Sequence, residues 1–318
     1  MHGPARLLIT AGVLIAASVS TRAAQAYVRS VSQEQKELYW SSSCETVTIY
    51  LNGFTAMTQD EVAKSIGAAA AAWGPDSVTC PAATGDGGNG HPYFEILPQL
   101  ATGGSVPDIT VLDGKNSIVF EITNFDGPSD GFAYTNVSKG PDGRIVEADI
   151  AINAVPGIGF QWANLDPGAP SGGHLPLVDL QTVMTHEFGH FLGLAHTCGA
   201  TTYGASSDEN DAPQSGKDYL LQPIPSCDDT GAPQSATVMW AYIDAPKRVL
   251  STDDARGVCA IFPSTQDPHS CTQNLPDDGC GCATAGAPTG RLAGLALAAL
   301  ALATRRRPRR RTSSISRG

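Results

Sequence analysis

The chain has 318 residues, 42% of them hydrophobic and 16% charged, which is apolar enough for a packed core and excludes a wholly disordered protein. Its formal charge of −11 hides an asymmetry: residues 1–26 hold two arginines, residues 284–318 hold eight, and all 31 acidic residues lie between these ends. The middle stretch sets ten basic residues against those 31, a formal −21, and so acidic a surface excludes nucleic acid as a partner, because phosphates need neutralising by Lys and Arg.

Residues 1–26 run from Arg6 through the apolar stretch Leu7–Val19 to Ala24-Gln25-Ala26, a small-x-small cleavage pattern. That is the layout of a secretory signal peptide, too short to span a membrane comfortably, and a mature chain starting near Tyr27 is expected. Thr46–Leu51, built of β-branched and aromatic residues, predicts a strand. Thr58-Gln59-Asp60-Glu61 has the form of a capping box and opens an alanine-rich helix to Trp73, stopped by Gly74-Pro75. Residues 81–92 form a Gly/Asn/Pro loop. Further strands are predicted at Tyr93–Leu97, Ile109–Leu112, Ser117–Thr123, Gly131–Asn136 and Ile145–Asn153. A second helix is predicted over Leu177–Leu192, ended by Gly193, and a third from Ser251-Thr252-Asp253-Asp254 to a point before Pro263. A turn-rich segment, 199–235, lies between them. This order predicts an α+β fold with a mixed sheet over residues 27–263.

Residues 264–283 read as a linker, and 284–318 as a tail in which the apolar run Leu292–Ala303 is stopped by Arg305–Arg307 and Arg309–Arg311. An apolar run stopped by a cationic block is expected to sit in a bilayer with the arginines on the cytoplasmic side. Its 12 residues are short for a permanent span. Eight cysteines in an exported chain favour disulfides. Proximity suggests Cys44–Cys80, Cys198–Cys227 and Cys259–Cys271, one of 15 connectivities open to six cysteines.

The chemistry is concentrated in His186-Glu187-Phe188-Gly189-His190-Phe191-Leu192-Gly193-Leu194-Ala195-His196. Residues four apart share a helix face, so His186 and His190 can present imidazoles to one metal ion. Gly193 permits the sharp turn that brings His196 back as a third ligand. Three nitrogens with a fourth position open describe a catalytic zinc site, since structural sites are closed by four protein ligands. Glu187 is placed to take a proton from a water that zinc has acidified and to pass it to a leaving nitrogen, which is peptide-bond hydrolysis without a covalent intermediate. His91, His174 and His269 stand alone in loops and read as surface residues.

The run resembles the zinc signature of the metzincin metallopeptidases, His-Glu-x-x-His-x-x-Gly-x-x-His. Ala236-Thr237-Val238-Met239-Trp240 resembles that family's methionine turn, which implies that Met239 is a packing floor beneath the histidines and not a ligand. Thr197 after the third histidine, and Leu250-Ser251-Thr252-Asp253-Asp254 opening the last helix, look most like the matrixin group over residues 35–263. The resemblance implies a metzincin-like catalytic domain with a twisted mixed sheet, one catalytic zinc, and a protein or peptide substrate. Phe125–Gly131 is similar to the matrixin calcium loop, with Asp126 and Asp130 as candidate calcium ligands. Tyr134 stands where a histidine for the family's structural zinc would be, so no second zinc is expected. Neither a propeptide nor a cysteine switch follows Tyr27.

Cys280-Gly281-Cys282 with the apolar run and arginine cluster resembles the C-terminal sorting tail of myxobacterial surface proteins, which implies attachment to a membrane or cell surface. The reading is an exported zinc endopeptidase; its rival is a cell-surface binding or adhesion protein on a metzincin scaffold that has lost activity. The 43 positions from His196 to Met239 are expected either to overhang the cleft as an insertion or to form a disulfide-clipped surface loop.

Overall fold

Five strands make the main sheet, and their order places a single antiparallel strand at one edge. In the computed structural model they are β2 (Cys44–Tyr50), β3 (Glu95–Leu100), β4 (Asn116–Glu121), β5 (Ala133–Lys139) and β6 (Ile145–Asn153), in the spatial order β3-β2-β4-β6-β5. The first four are parallel and β5 pairs antiparallel with β6, Thr135 opposite Ile150. Pro98 sits in β3, an edge strand, where a missing N–H costs the sheet little. Short pairs complete the strands: β1 (Val28–Arg29) with β9 (Leu194–Ala195), and β7 (Gln161–Ala163) with β8 (Leu177–Asp179). The structure describes residues 27–81, 90–128, 131–165, 176–199, 223–243 and 245–269. They fall in the first of two units of the chain, Met1–Cys280; the second is Gly281–Gly318. The predicted signal segment, the tail, Asp130 and His174 lie outside the described residues.

Three α-helices are described: α1 (Gln59–Trp73), α2 (Leu180–Phe191) and α3 (Thr252–Ile261). The capping boxes behind α1 and α3 are both formed, Thr58 with Glu61 and Ser251 with Asp254. Val62, Ile66, Ala69, Ala70 and Trp73 of α1 and Val183, Met184, Phe188 and Phe191 of α2 are buried in one cluster. That cluster includes Val47, Ile49, Ile118, Phe120, Ile150 and Ile152, the alternate residues of β2, β4 and β6 that point to one face of the sheet. Two tryptophans fasten α2 by its backbone: Trp73 Nε1 donates to Thr185 O and Trp40 Nε1 to Phe191 O, each at 2.8 Å.

Four expectations are corrected. Residues 109–112 are not a strand: Asp108 draws the Thr110 amide onto its carboxylate and the Val111 amide onto its carbonyl, which makes a turn. Ile109 alone is buried there, against Val119 and Ala151, while Val111 and Leu112 are 54% and 61% exposed. The second helix starts at Leu180, not Leu177, because Leu177–Asp179 pairs with β7 and Asp179 is the N-cap. Cys80 bonds Cys259, 179 positions away, in place of the two shorter pairings that involved them. Cys44 is also disulfide-bonded, and its partner lies beyond the described residues. Cys198–Cys227 forms as expected.

The other face of the sheet carries a buried acidic pair. Glu147 accepts the amides of Asp113, Gly114 and Lys115, and Asp149 accepts the Ser117 amide at 2.8 Å. Burial pushes the Asp149 carboxyl up to about 7, the charges of Glu147 and Asp113 add to the rise, and the Ser117 N–H opposes it. A carboxyl raised on folding gives stability that is full below its unfolded value near 3.8 and is lost as pH rises to about 7. Asp149→Asn should therefore flatten the fall in melting temperature between about pH 4 and 7. Thermal unfolding of both proteins across that range checks it; parallel curves would contradict the assignment.

Candidate metal centre

α2 supplies two of three imidazoles, and the turn after it supplies the third. Gly193 has φ +99°, and a Cβ there would stand 2.9 Å from Leu38 O, so the turn requires glycine. Its amide donates to His190 O, β9 pairs with β1, and the chain re-emerges at His196. The three Nε2 atoms of His186, His190 and His196 lie 3.1 Å from one another, a near-equilateral triangle.

The tautomers follow from the neighbours. His186 Nδ1 lies 2.7 Å from Val238 O and His190 Nδ1 lies 2.9 Å from Leu194 O. A carbonyl oxygen only accepts, so each Nδ1 carries a proton and each Nε2 turns a lone pair inward. Two lone pairs facing at 3.1 Å repel unless a cation lies between them. A tetrahedral zinc about 2.1 Å from each nitrogen spaces its ligands roughly 3.3–3.4 Å apart, close to what is found. Burial drives the His186 imidazole down to about 3, with the His196 and Lys247 charges adding and the Val238 bond opposing, which keeps it neutral as a ligand must be. Among the described residues this is the one group of three or more His, Cys, Asp or Glu side chains able to hold an ion.

Glu187 is 5% exposed and accepts the Thr135 hydroxyl on Oε2 at 2.6 Å. Met239 lies under α2: a Cβ on Gly189, between the two helical histidines, would overlap its Sδ. The backbone around Met239 is anchored by Asp254 at the head of α3, which accepts the Val238 amide at 3.0 Å and the Met239 amide at 3.3 Å. Burial raises the Asp254 carboxyl and these N–H bonds restrain the rise. Thr197 closes the arrangement, its amide donating to Met239 O and its hydroxyl meeting that of Thr237 at 2.9 Å. His186 is thus oriented through Val238 by a carboxylate 68 positions along the chain.

The helix start is fixed by an ionic contact. Arg248 grips both oxygens of Asp179, at 2.6 and 2.8 Å, and reaches Asn164 at 2.8 Å. Burial raises the Asp179 carboxyl, but the Arg248 and Thr182 bonds outweigh it and leave it below the ordinary range. Neither Arg248 nor Thr135 carries a motif that sequence reading could have used; each acts across the fold.

The calcium reading finds no support. Asp126 sits in an exposed turn, accepting Asn124 Nδ2 and donating its amide to Glu121, and Asp130 is beyond the described residues. Tyr134 packs edge-on against Phe125. His91 and His269 are apart from the triad, bonded to Val78 O and paired with Asp267. The ends of the 43-position insertion return to the site, where the Cys198–Cys227 disulfide packs on Trp240, the residue after Met239; most of its middle is beyond the described residues.

No curated protein matches the chain. A solved structure titled "GM1 bound form of the ECX AB5 holotoxin" aligns over 75% of this chain and 89% of that one, at 14% identity and a TM-score of 0.32, too slight a likeness to carry an argument. The Peptidase_M43 family model, described as pregnancy-associated plasma protein-A, matches residues 176–236, the segment that holds all three histidines and Glu187, and over that segment the chain is similar to metallopeptidases.

Proposed function

We propose that the protein is an exported zinc endopeptidase that hydrolyses peptide bonds, with His186, His190 and His196 holding the ion and Glu187 as the acid–base residue. The observation that carries this reading is the triangle of Nε2 atoms 3.1 Å apart, with the buried Glu187 carboxylate on the same turn of helix. Zinc bound there supplies Lewis acidity towards a carbonyl and lowers the pKa of a water to about 7. Glu187 takes the proton released as the water oxygen attacks the carbonyl carbon, and returns it to the amide nitrogen when the C–N bond breaks. Val238 O and Leu194 O hold the two helical imidazoles in the tautomer this requires. The outer edge of β5, next to Glu187 through Thr135, offers backbone groups to an extended substrate strand.

The finer assignments rest on sequence features. The matrixin type is supported by Thr197 and by the Ser251–Asp254 helix start. Export is supported by the signal-like residues 1–26 and agrees with disulfides at Cys80–Cys259 and Cys198–Cys227, which persist in oxidising compartments. Surface attachment is assigned to residues 284–318.

Dialysis against a zinc chelator should abolish cleavage of a peptide library, and one equivalent of zinc per chain should restore it. Cleavage that survives complete zinc removal would end this reading. Restored zinc without cleavage would favour the binding-protein alternative.

A further inference from the structure

The proposed reaction needs a base aimed at one point, and the side chain that carries it is long. Glu187 can swing about several bonds, and a 1 Å misplacement of a reacting group costs a factor of about 10² in rate. What aims it comes from the sheet. Thr135 lies in β5, 4% exposed, with its hydroxyl oxygen 2.6 Å from Glu187 Oε2 and 3.2 Å from Glu187 O. Both of those oxygens only accept, so the single hydroxyl proton goes to one of them. The shorter, charge-assisted contact is the stronger and wins.

We infer that Thr135 is the positioning residue for Glu187, holding the carboxylate by one oxygen, Oε2. An ionised carboxylate offers about four acceptor positions, so this bond does not by itself use up its capacity as a base. The anchor is stiff at each step. Threonine is β-branched and restricted at χ1, and its backbone is paired with Ile150 in mid-strand. Asn136, the next residue, ties β5 to the neighbouring turn by donating to Ile109 O at 2.8 Å. The edge strand that would seat a peptide substrate therefore also carries the group that aims the base, so substrate and base are registered to the same element. This inference rests on the peptidase reading above.

The test compares Thr135→Val, which keeps the shape and removes the hydroxyl, with Thr135→Ser, which keeps the hydroxyl and removes the methyl. Thr135→Val should lower kcat by about 10- to 100-fold. KM and the zinc affinity, the latter measured by competition with a chromogenic chelator, should stay within about twofold. Affinity for a phosphinic peptide, measured by calorimetry, should weaken by the same factor as kcat/KM, as expected for an interaction made with the transition state. Thr135→Ser should recover most of both losses. An active wild type with an unaltered Thr135→Val would overturn the assignment alone. So would a Thr135→Ser as impaired as Thr135→Val, or a parallel loss of zinc affinity, since either marks a packing role. A zinc-loaded wild type that cleaves no peptide would remove the peptidase reading and this assignment with it.

Discussion

Glu187→Gln should retain stoichiometric zinc and lose about 10²- to 10⁴-fold in kcat/KM, the usual contribution of a positioned acid–base group. That range corresponds to about 3–5 kcal/mol of transition-state stabilisation. Glutamine is the informative substitution because its carbonyl oxygen can still accept the Thr135 hydroxyl, leaving the contact between β5 and α2 in place. The three imidazoles are untouched, and the bonds that orient His186 and His190 go to Val238 O and Leu194 O, not to Glu187. Zinc content by atomic emission and turnover of a fluorogenic peptide should therefore separate. Loss of both together would mean that Glu187 is needed to build the site, and full turnover by the variant would remove it from the chemistry.

Gly189→Ala should destabilise the protein even though alanine is the better helix former by about 1 kcal/mol. The added methyl has no room: it would overlap Met239 Sδ and stand 3.0 Å from Met239 Cε and 3.1 Å from Trp73 Cζ2. Neither neighbour gives way easily. Trp73 is held by its bond to Thr185 O, and the backbone of Met239 is pinned by Asp254 and Thr197. Overpacking of this kind costs about 1–3 kcal/mol or more, which outweighs the helix gain. Zinc affinity should fall with it, by about 10- to 100-fold, because displacing Met239 drags Val238 O away from His186 Nδ1. Urea unfolding of metal-free protein measures the first effect and chelator competition the second. Adding Met239→Ala should recover part of both losses, a coupling that two independent sites would not show. A Gly189→Ala protein as stable as wild type would mean that the methionine floor is soft.

What could be read in advance was whatever neighbours in sequence decide. The boxes at Thr58–Glu61 and Ser251–Asp254 are each closed within four residues, and the helices begin where those residues say. The histidine run is likewise local, because helical periodicity and one glycine bring its members together. What was missed depends on partners far along the chain, with one local exception. Ile109–Leu112 has strand-like residues, but Asp108 captures two of its amides first. Leu177–Asp179 looks like the first turn of a helix until β7 claims it. Cys80 finds Cys259 because α3 returns to the loop after α1, a matter of topology that spacing does not encode. Thr135 meets Glu187 across 52 positions with no sequence mark at either end except the motif on one side.

The two disulfides whose partners are both described also decide what a single backbone cut can do. Cys198–Cys227 brackets most of the insertion beside the cleft, and Cys80–Cys259 encloses that bracket within a covalent circuit that also contains β3 to β9, α2 and Met239. Scission between residues 198 and 227 would leave the two stumps joined by both of these bonds, and scission anywhere else between 80 and 259 would leave them joined by Cys80–Cys259, in each case with the Cys44 disulfide as a further tether. No such nick sheds a fragment. His196 and Met239, on opposite sides of such a cut, would stay in one molecule, so a clipped protein would run as two pieces only after reduction.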